Sequence, residues 1–203
     1  MLKKAYHHGN LATALLLAAE RELALHGIEA FSLRAVAKRA EVSHGAPAHH
    51  FNNAKGLLTA LAAIGYERLV EAQMARQESA ESDPQAQLVA IGLGYLDFAE
   101  ENPELFRLMF TSDKPERRNL HFARAANAAF AKLVNGIRDV IGTDPNTDPV
   151  AMTQVAASWS MVHGLADLMI SGRLDGPLHL KERSGTDRDA LLSKVLLRAL
   201  EGY

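Results

Sequence analysis

The sequence contains no cysteine, which rules out a disulfide framework and a thiolate metal site and fits a reducing cytoplasm. Long apolar runs are missing too. No window of about eighteen residues is free of polar interruption, as a membrane-spanning helix requires. Met1-Leu2-Lys3-Lys4 starts like a secretory leader. However, Tyr6-His7-His8-Gly9-Asn10 comes before any apolar stretch, and Glu20 and Glu22 follow the run from Leu11 to Ala19. The expectation is a soluble, cytoplasmic protein with no membrane partner. Strand signals are equally scarce, with no sustained period-two alternation and no Asn-Gly hairpin turn. Paired carboxylates on one helical face, a Ser/His/Asp spacing and a phosphate loop are all lacking, so no enzyme and no cofactor is expected.

What is present suits a globular chain. Its 203 residues are 48% hydrophobic and 23% charged, enough for one large domain or a small one joined to a larger one. The net charge of −2 would disfavour a nucleic-acid partner if it were spread evenly. Residues 1–60 instead hold seven Lys/Arg and four acids, a local +3 against −5 for the rest, and six of the nine histidines fall within the first 51 residues. This asymmetry points to an anionic partner for the N-terminal part.

Helical periodicity runs through the whole chain, so the fold class is all-α. Leu11, Leu15, Ala18/Ala19 and Leu23 mark a first helix that Gly27 ends. Ser32 stands at an N-cap position before Leu33, Val36, Ala37 and Ala40, a helix of about nine residues. Glu41-Val42 makes a tight connection, and Ser43 is placed to cap a third short helix to His50 or Phe51, with Pro47 in its first turn. Longer helices are expected over about 54–75, from Pro84 to Asn102, over 103–111, from about Pro115 to Ile141, from Val150 to Ile170 and from Ala190 to Leu200. Ser171–Asp189 reads as a long loop. The last two long helices are apolar nearly all round, which calls for burial on most sides. A second copy of the chain or a central position in a monomer would each supply it.

Two short helices joined by a three- or four-residue turn in a partly basic region fit a helix-turn-helix, which presents the start of its second helix to base edges. An ordinary helical hairpin has the same pattern. Gly45, Ala46 and Ala48 are small enough for close approach, and Ser43, His44 and His49 can reach phosphates or bases. The histidines do not share one helical face and lack a completing carboxylate or thiol, so no metal is expected.

The runs Tyr6-His7-His8-Gly9-Asn10-Leu11, Ser32-Leu33-Arg34-Ala35-Val36-Ala37, Val42-Ser43-His44-Gly45-Ala46-Pro47, His50-Phe51 and Lys55 with Leu57-Leu58 resemble the TetR family of regulators. Asn102-Pro103-Glu104-Leu105-Phe106-Arg107-Leu108-Met109-Phe110 and Trp159 with His163-Gly164 are similar to its subgroup with a WHG-type C-terminal domain. The resemblance implies a homodimer joined through its last two long helices, a palindromic double-stranded operator, and release when a small-molecule effector moves the DNA-binding domains apart. It implies a helix-turn-helix domain over 1–53 and a larger ligand-binding and dimerisation domain over 54–203. Arg34, Ser43 and Lys55 match phosphate contacts; His44, Gly45 and Ala46 match the base-facing helix start; His49 and His50 lie near the backbone. Ala48 stands where the family usually has tyrosine, and Glu41 where it has glycine. A positive φ at Glu41 would be mildly strained.

Candidate pocket residues are Phe98, Phe106, Met109, Phe110, Phe122 and Trp159, with His163 as a polar anchor, while plain core is the default reading of each. Their chemistry favours an apolar or amphipathic effector. Val155, Val162, Leu165, Met169, Leu192, Val195 and Leu196 are the candidate dimer contacts. Lys114, Arg117, Arg118 and Arg124 read as a solvated basic face or as an anion site. The function expected is a ligand-responsive repressor. The alternative is a helical small-molecule-binding protein whose DNA module is impaired by Ala48 and Glu41.

Overall fold

A computed structural model describes residues 8–198, with side chains from Leu11 onward. The readings made at Met1–His7 and at Ala199–Leu200 lie outside the described residues. Every regular element among the described residues is helical, in agreement with the predicted all-α class. The described residues up to Tyr66 pack with Asn102–Ala126 into one compact unit; Glu67–Glu101 packs with the residues from Asn127 onward into another.

In the first unit, α1 (His8–His26) buries Leu15, Ala18, Ala19 and Leu23, one side of a 3.6-residue period. It ends where Gly27, at φ +70°, donates its N–H to the Leu23 carbonyl at 2.8 Å. Helix α2 (Leu33–Arg39) is shorter than expected and buries Val36 and Ala37. Ser32 does take the N-cap position with an extended backbone, but its side chain makes no capping bond. Helix α3 (Ala46–Phe51) is capped in backbone terms by Gly45 rather than Ser43, whose carbonyl accepts the Ala46 N–H in a preceding turn. Pro47 lies in the first turn, as expected.

Helix α4 (Ala54–Glu78) follows after two residues, with the Asn53 side chain accepting the Gly56 N–H at 3.0 Å. Helix α6 (Pro103–Phe110) buries Leu105, Phe106, Leu108 and Met109, and Gly65 of α4 makes room for Leu105 and Met109. The helix expected from Pro115 begins instead at Leu120, as α7 (Leu120–Ile141). Asn119 Oδ1 accepts the N–H groups of His121 and Phe122, starting the helix there, while Pro115 is buried within the turns before it.

In the second unit, α5 (Pro84–Glu101) buries Leu88, Ile91, Tyr95 and Phe98, the stripe read from the sequence. Leu88 joins Val134, Ile137 and Val155 in a core cluster; each such side chain contributes about 1.5–3 kcal/mol. Asp148 Oδ1 accepts the Val150 N–H at 2.8 Å and starts α8 (Pro149–Ile170). The expected long loop after α8 holds α9 (Asp175–Leu178) and a 3-10 turn at Leu180–Glu182, and α10 (Gly185–Leu197) begins well before Ala190. The spacing Ser184-Gly-Thr-Asp187 explains that early start: the Ser184 hydroxyl accepts the Asp187 N–H and bonds its carboxylate.

Where α4 meets α5 in this unit, a Cβ on Gly94 would sit 2.6 Å from both the Ala72 carbonyl oxygen and Gln73 Cα, so the helices cross at backbone distance. One guanidinium ties three helices together, Arg76 bonding Asp97 of α5 and Asp189 of α10, both at 2.5 Å. None of the described helices is long and apolar enough to cross a membrane.

Candidate nucleic-acid interface

The helix-turn-helix is braced from α1. Glu22 is only 4% exposed, and it receives two hydrogen bonds from the Arg39 guanidinium at the end of α2, at 2.9 and 3.3 Å. The turn into α3 passes through Glu41 at φ +56°, so the residue standing in the usual glycine position adopts the conformation that favours glycine. The Val42 N–H still reaches the Ala37 carbonyl at 3.0 Å and fixes the turn.

The resulting surface is open and cationic at its edges. Ser43, His44, Gly45, Ala48 and His49 are exposed, and Ala46 and His50 are half-buried. Among the described residues, none beyond its own chain neighbours lies within 4 Å of where a Gly45 Cβ would be, so backbone or bases can approach closely. Exposed Arg34 on α2 and Lys55 in the first turn of α4 form no ion pair among the described residues. The His49 and His50 rings meet edge-on with centroids 5.7 Å apart, and no cluster of three His, Cys, Asp or Glu able to hold a metal occurs among the described residues. Such a surface can neutralise phosphates at its flanks and present a short helix start between them.

Residues 15–61 match the family described as bacterial regulatory proteins, tetR family. Residues 88–196, more than half of the chain, match the tetracyclin repressor-like C-terminal domain. The chain belongs to the TetR family. TetR-family proteins are DNA-binding transcription regulators and act as dimers. Among solved structures, a Rhodococcus sp. RHA1 protein of unknown function is 30% identical, with 97% of this chain and 98% of that one covered at a TM-score of 0.76. PfmR, a TetR-family regulator from Thermus thermophilus, is 21% identical over 92% of this chain and 98% of its own, with a TM-score of 0.66. A TetR-like regulator from Rhodococcus sp. RHA1 is 18% identical over the full length of both chains, with a TM-score of 0.61. The last two show a common fold. No curated protein matches the chain.

The candidate pocket residues of this TetR-family chain divide between its compact units. Phe106, Met109, Phe110 and Phe122 belong to the first, where Tyr66 stacks edge-on against Phe110 and Phe122 and donates its hydroxyl to the Met109 carbonyl. Burial pushes the Tyr66 phenol up, with Arg117 opposing the shift. Phe98, Trp159 and His163 belong to the second. There Phe98 is buried, while Trp159 is 41% exposed and lies against exposed Phe130. The His163 Nδ1 stands 2.8 Å from the Tyr95 hydroxyl.

Of the candidate dimer contacts, Val155, Val162, Leu165, Met169, Leu192 and Leu196 are buried within the single chain, and Val195 is half-buried. The reason is that α8 packs on α5, with Val155 in the cluster of Leu88, Val134 and Ile137, and that α10 packs on both α5 and α8. The apolar groups that α8 leaves outside are Val150, Trp159 and Leu168.

Sequence reasoning missed three linking residues. Thr59 donates its hydroxyl to the Lys55 carbonyl at 2.7 Å and accepts the Glu116 N–H at 2.8 Å. Its signal was absent, since a threonine inside a helix has no pattern of its own. Glu22 carried one: a carboxylate at a position flanked by Ala18, Ala19 and Leu23 on the inward side needs a cation. Tyr95 was read only as part of an apolar stripe, although a buried tyrosine also needs a hydrogen-bond partner.

Proposed function

We propose that this TetR-family regulator is a repressor that binds a palindromic operator as a homodimer and leaves it when a small apolar or amphipathic effector binds. The observation that carries the DNA half is the open, small-residue start of α3, flanked by Arg34 and Lys55, which form no ion pair among the described residues. In this reading residues 1–53 bind DNA: Arg34, Ser43 and Lys55 hold phosphates, His44, Gly45 and Ala46 face bases, and Ala48, His49 and His50 lie along the backbone. Residues 54–203 sense and dimerise. The effector's character is supported by the aromatic and methionine groups Phe98, Phe106, Met109, Phe110, Phe122 and Trp159, with His163 as polar anchor. Dimerisation through α8 and α10 is supported by Val150, Trp159 and Leu168, apolar groups left outside; Val155, Val162, Leu165, Met169, Leu192, Val195 and Leu196 back that surface from within. The working compartment is the cytoplasm.

The experiment is selection from random duplex DNA with the purified protein, followed by affinity measurement at several salt concentrations. A recovered palindrome bound by a dimer, with affinity falling steeply through counterion release, is the expected result. A single asymmetric site per chain would count against it. A second reading, a ligand-binding protein with an impaired DNA module, draws on Glu41 at φ +56° and on Ala48. If only the double change Glu41→Gly with Ala48→Tyr produces specific binding, the second reading holds.

A further inference from the structure

The turns between α6 and α7 form a basic surface that is physically tied to the DNA-facing end of α4. Lys114, Arg117, Arg118 and Arg124 outnumber Asp113 and Glu116, a net +2 over residues 111–124. Arg117, Arg118 and Arg124 are exposed and form no ion pair among the described residues. Lys114 is occupied differently. Its ammonium binds the Ile28 carbonyl at 3.4 Å and Glu29 at 3.2 Å, pinning the turns to the α1–α2 connection.

A second pin sets the height of the segment. The Glu116 N–H donates to Thr59 Oγ1, and that hydroxyl donates to the Lys55 carbonyl. The backbone beside Arg117 is therefore held one helical turn, about 5 Å of rise, above the lysine proposed to grip phosphate. An arginine side chain is longer than that rise. Counting these turns, the described residues of the compact unit that contains the helix-turn-helix include ten basic and seven acidic ones, a net +3 within a chain of net −2.

We propose that Arg117 and Arg118 are additional phosphate contacts, extending the DNA interface from α2, α3 and the start of α4 onto the α6–α7 turns. The inference rests on the DNA-binding reading of Lys55. The doubly anchored backbone keeps one position relative to α4, which a floppy charged loop would not, and the two guanidiniums it carries form no ion pair among the described residues. They contact the sugar-phosphate backbone and carry no base preference. Lys114 and Arg124 have other parts: the first anchors the segment, and the second lies a turn into α7.

The test compares the wild type, Lys55→Gln, Arg117→Gln with Arg118→Gln, and Arg173→Gln, an exposed arginine of the second unit that controls for net charge. The probes are the duplex recovered by selection and a scrambled duplex of equal length, titrated by fluorescence anisotropy across a salt series. Each lost phosphate contact shallows the slope of log affinity against log salt by about 0.9, so the arginine pair should shallow it by roughly two units per chain. Both duplexes should lose affinity by the same factor, and Arg173→Gln should leave the slope in place. A thermal midpoint close to wild type shows that the pair still folds. An unchanged slope in the arginine pair, beside a shallower one in Lys55→Gln, overturns this inference alone. An equal drop in Arg173→Gln overturns it too, because net charge then suffices. Loss of salt dependence in the wild type overturns the Lys55 reading with it.

Discussion

The Tyr95 hydroxyl stands 2.8 Å from Nδ1 of His163, so α5 and α8 are hydrogen-bonded to each other within one compact unit. Burial pulls the His163 imidazole below its ordinary value, with Asp167, one turn on, opposing the shift. The folded chain therefore resists a proton that the unfolded chain accepts near pH 6.5. No penalty applies above that pH. Stability is lost as pH falls from about 6.5 through the depressed folded value. Urea unfolding of the wild type and of His163→Gln at pH 7.5 and 5.5 checks this: the wild type should lose more stability on acidification than the variant does. An equal loss in both would place the sensitive group elsewhere.

The Glu22–Arg39 pair predicts a different failure. Arg39→Met leaves a carboxylate that is 4% exposed without its strong donor, a cost of about 1.5–3 kcal/mol. His26, 3.8 Å away, is too distant and too exposed to replace it. Adding Glu22→Leu should recover most of the loss, because the buried charge goes with it. Thermal melts of the single and double variants decide the matter: no recovery in the double variant would mean that the pair holds α2 through geometry rather than charge.

Glu41 offers a gain. At φ +56° a residue with a Cβ is disfavoured by about 1–2 kcal/mol relative to glycine. Glu41→Gly removes that strain, and the entropy of the more flexible unfolded chain takes back part of it. The net expectation is a midpoint raised by about 2–4 °C, the shift that roughly 1 kcal/mol produces in a chain of this size. Affinity for DNA should rise with it, since a carboxylate leaves the turn. A lower midpoint would show that the Glu41 side chain makes a compensating contact.

The positive φ of Glu41 was legible only as a condition, through the glycine that the family usually has at that place in the turn. The interiors of α1 and α5 were legible from the residues themselves, since burial imposes the helical period on Leu15, Leu23, Leu88 and Tyr95. Helix starts were less so. Ser32 and Ser43 are the residue type that caps, yet neither side chain does, whereas Asn119 and Ser184 do and went unread. Which copy of the chain covers an apolar face was not legible either. Leu192 and Leu196 look alike in sequence whether α5 and α8 of the same chain or a partner covers them.

Two glycines, Gly45 at the start of α3 and Gly56 in the first turn of α4, should behave oppositely on replacement by alanine. At Gly56 a Cβ would land on the Phe51 carbonyl oxygen, a backbone atom that cannot move without shifting the end of α3. Gly56→Ala should therefore lower the thermal midpoint by several degrees, by roughly 1–3 kcal/mol, as overpacking does. It should also weaken DNA binding, because the spacing from α3 to Lys55 changes. Gly45 has open space around it and an ordinary φ of −82°. Gly45→Ala should leave the midpoint unchanged or slightly raised, since alanine reduces the freedom of the unfolded chain. Its effect should fall on DNA affinity, because the added methyl occupies the space left for the duplex. Melting and salt-series binding of both variants separate the two cases. If Gly45→Ala binds DNA as tightly as the wild type, the start of α3 does not lie against the duplex, and base recognition must be sought further along that helix.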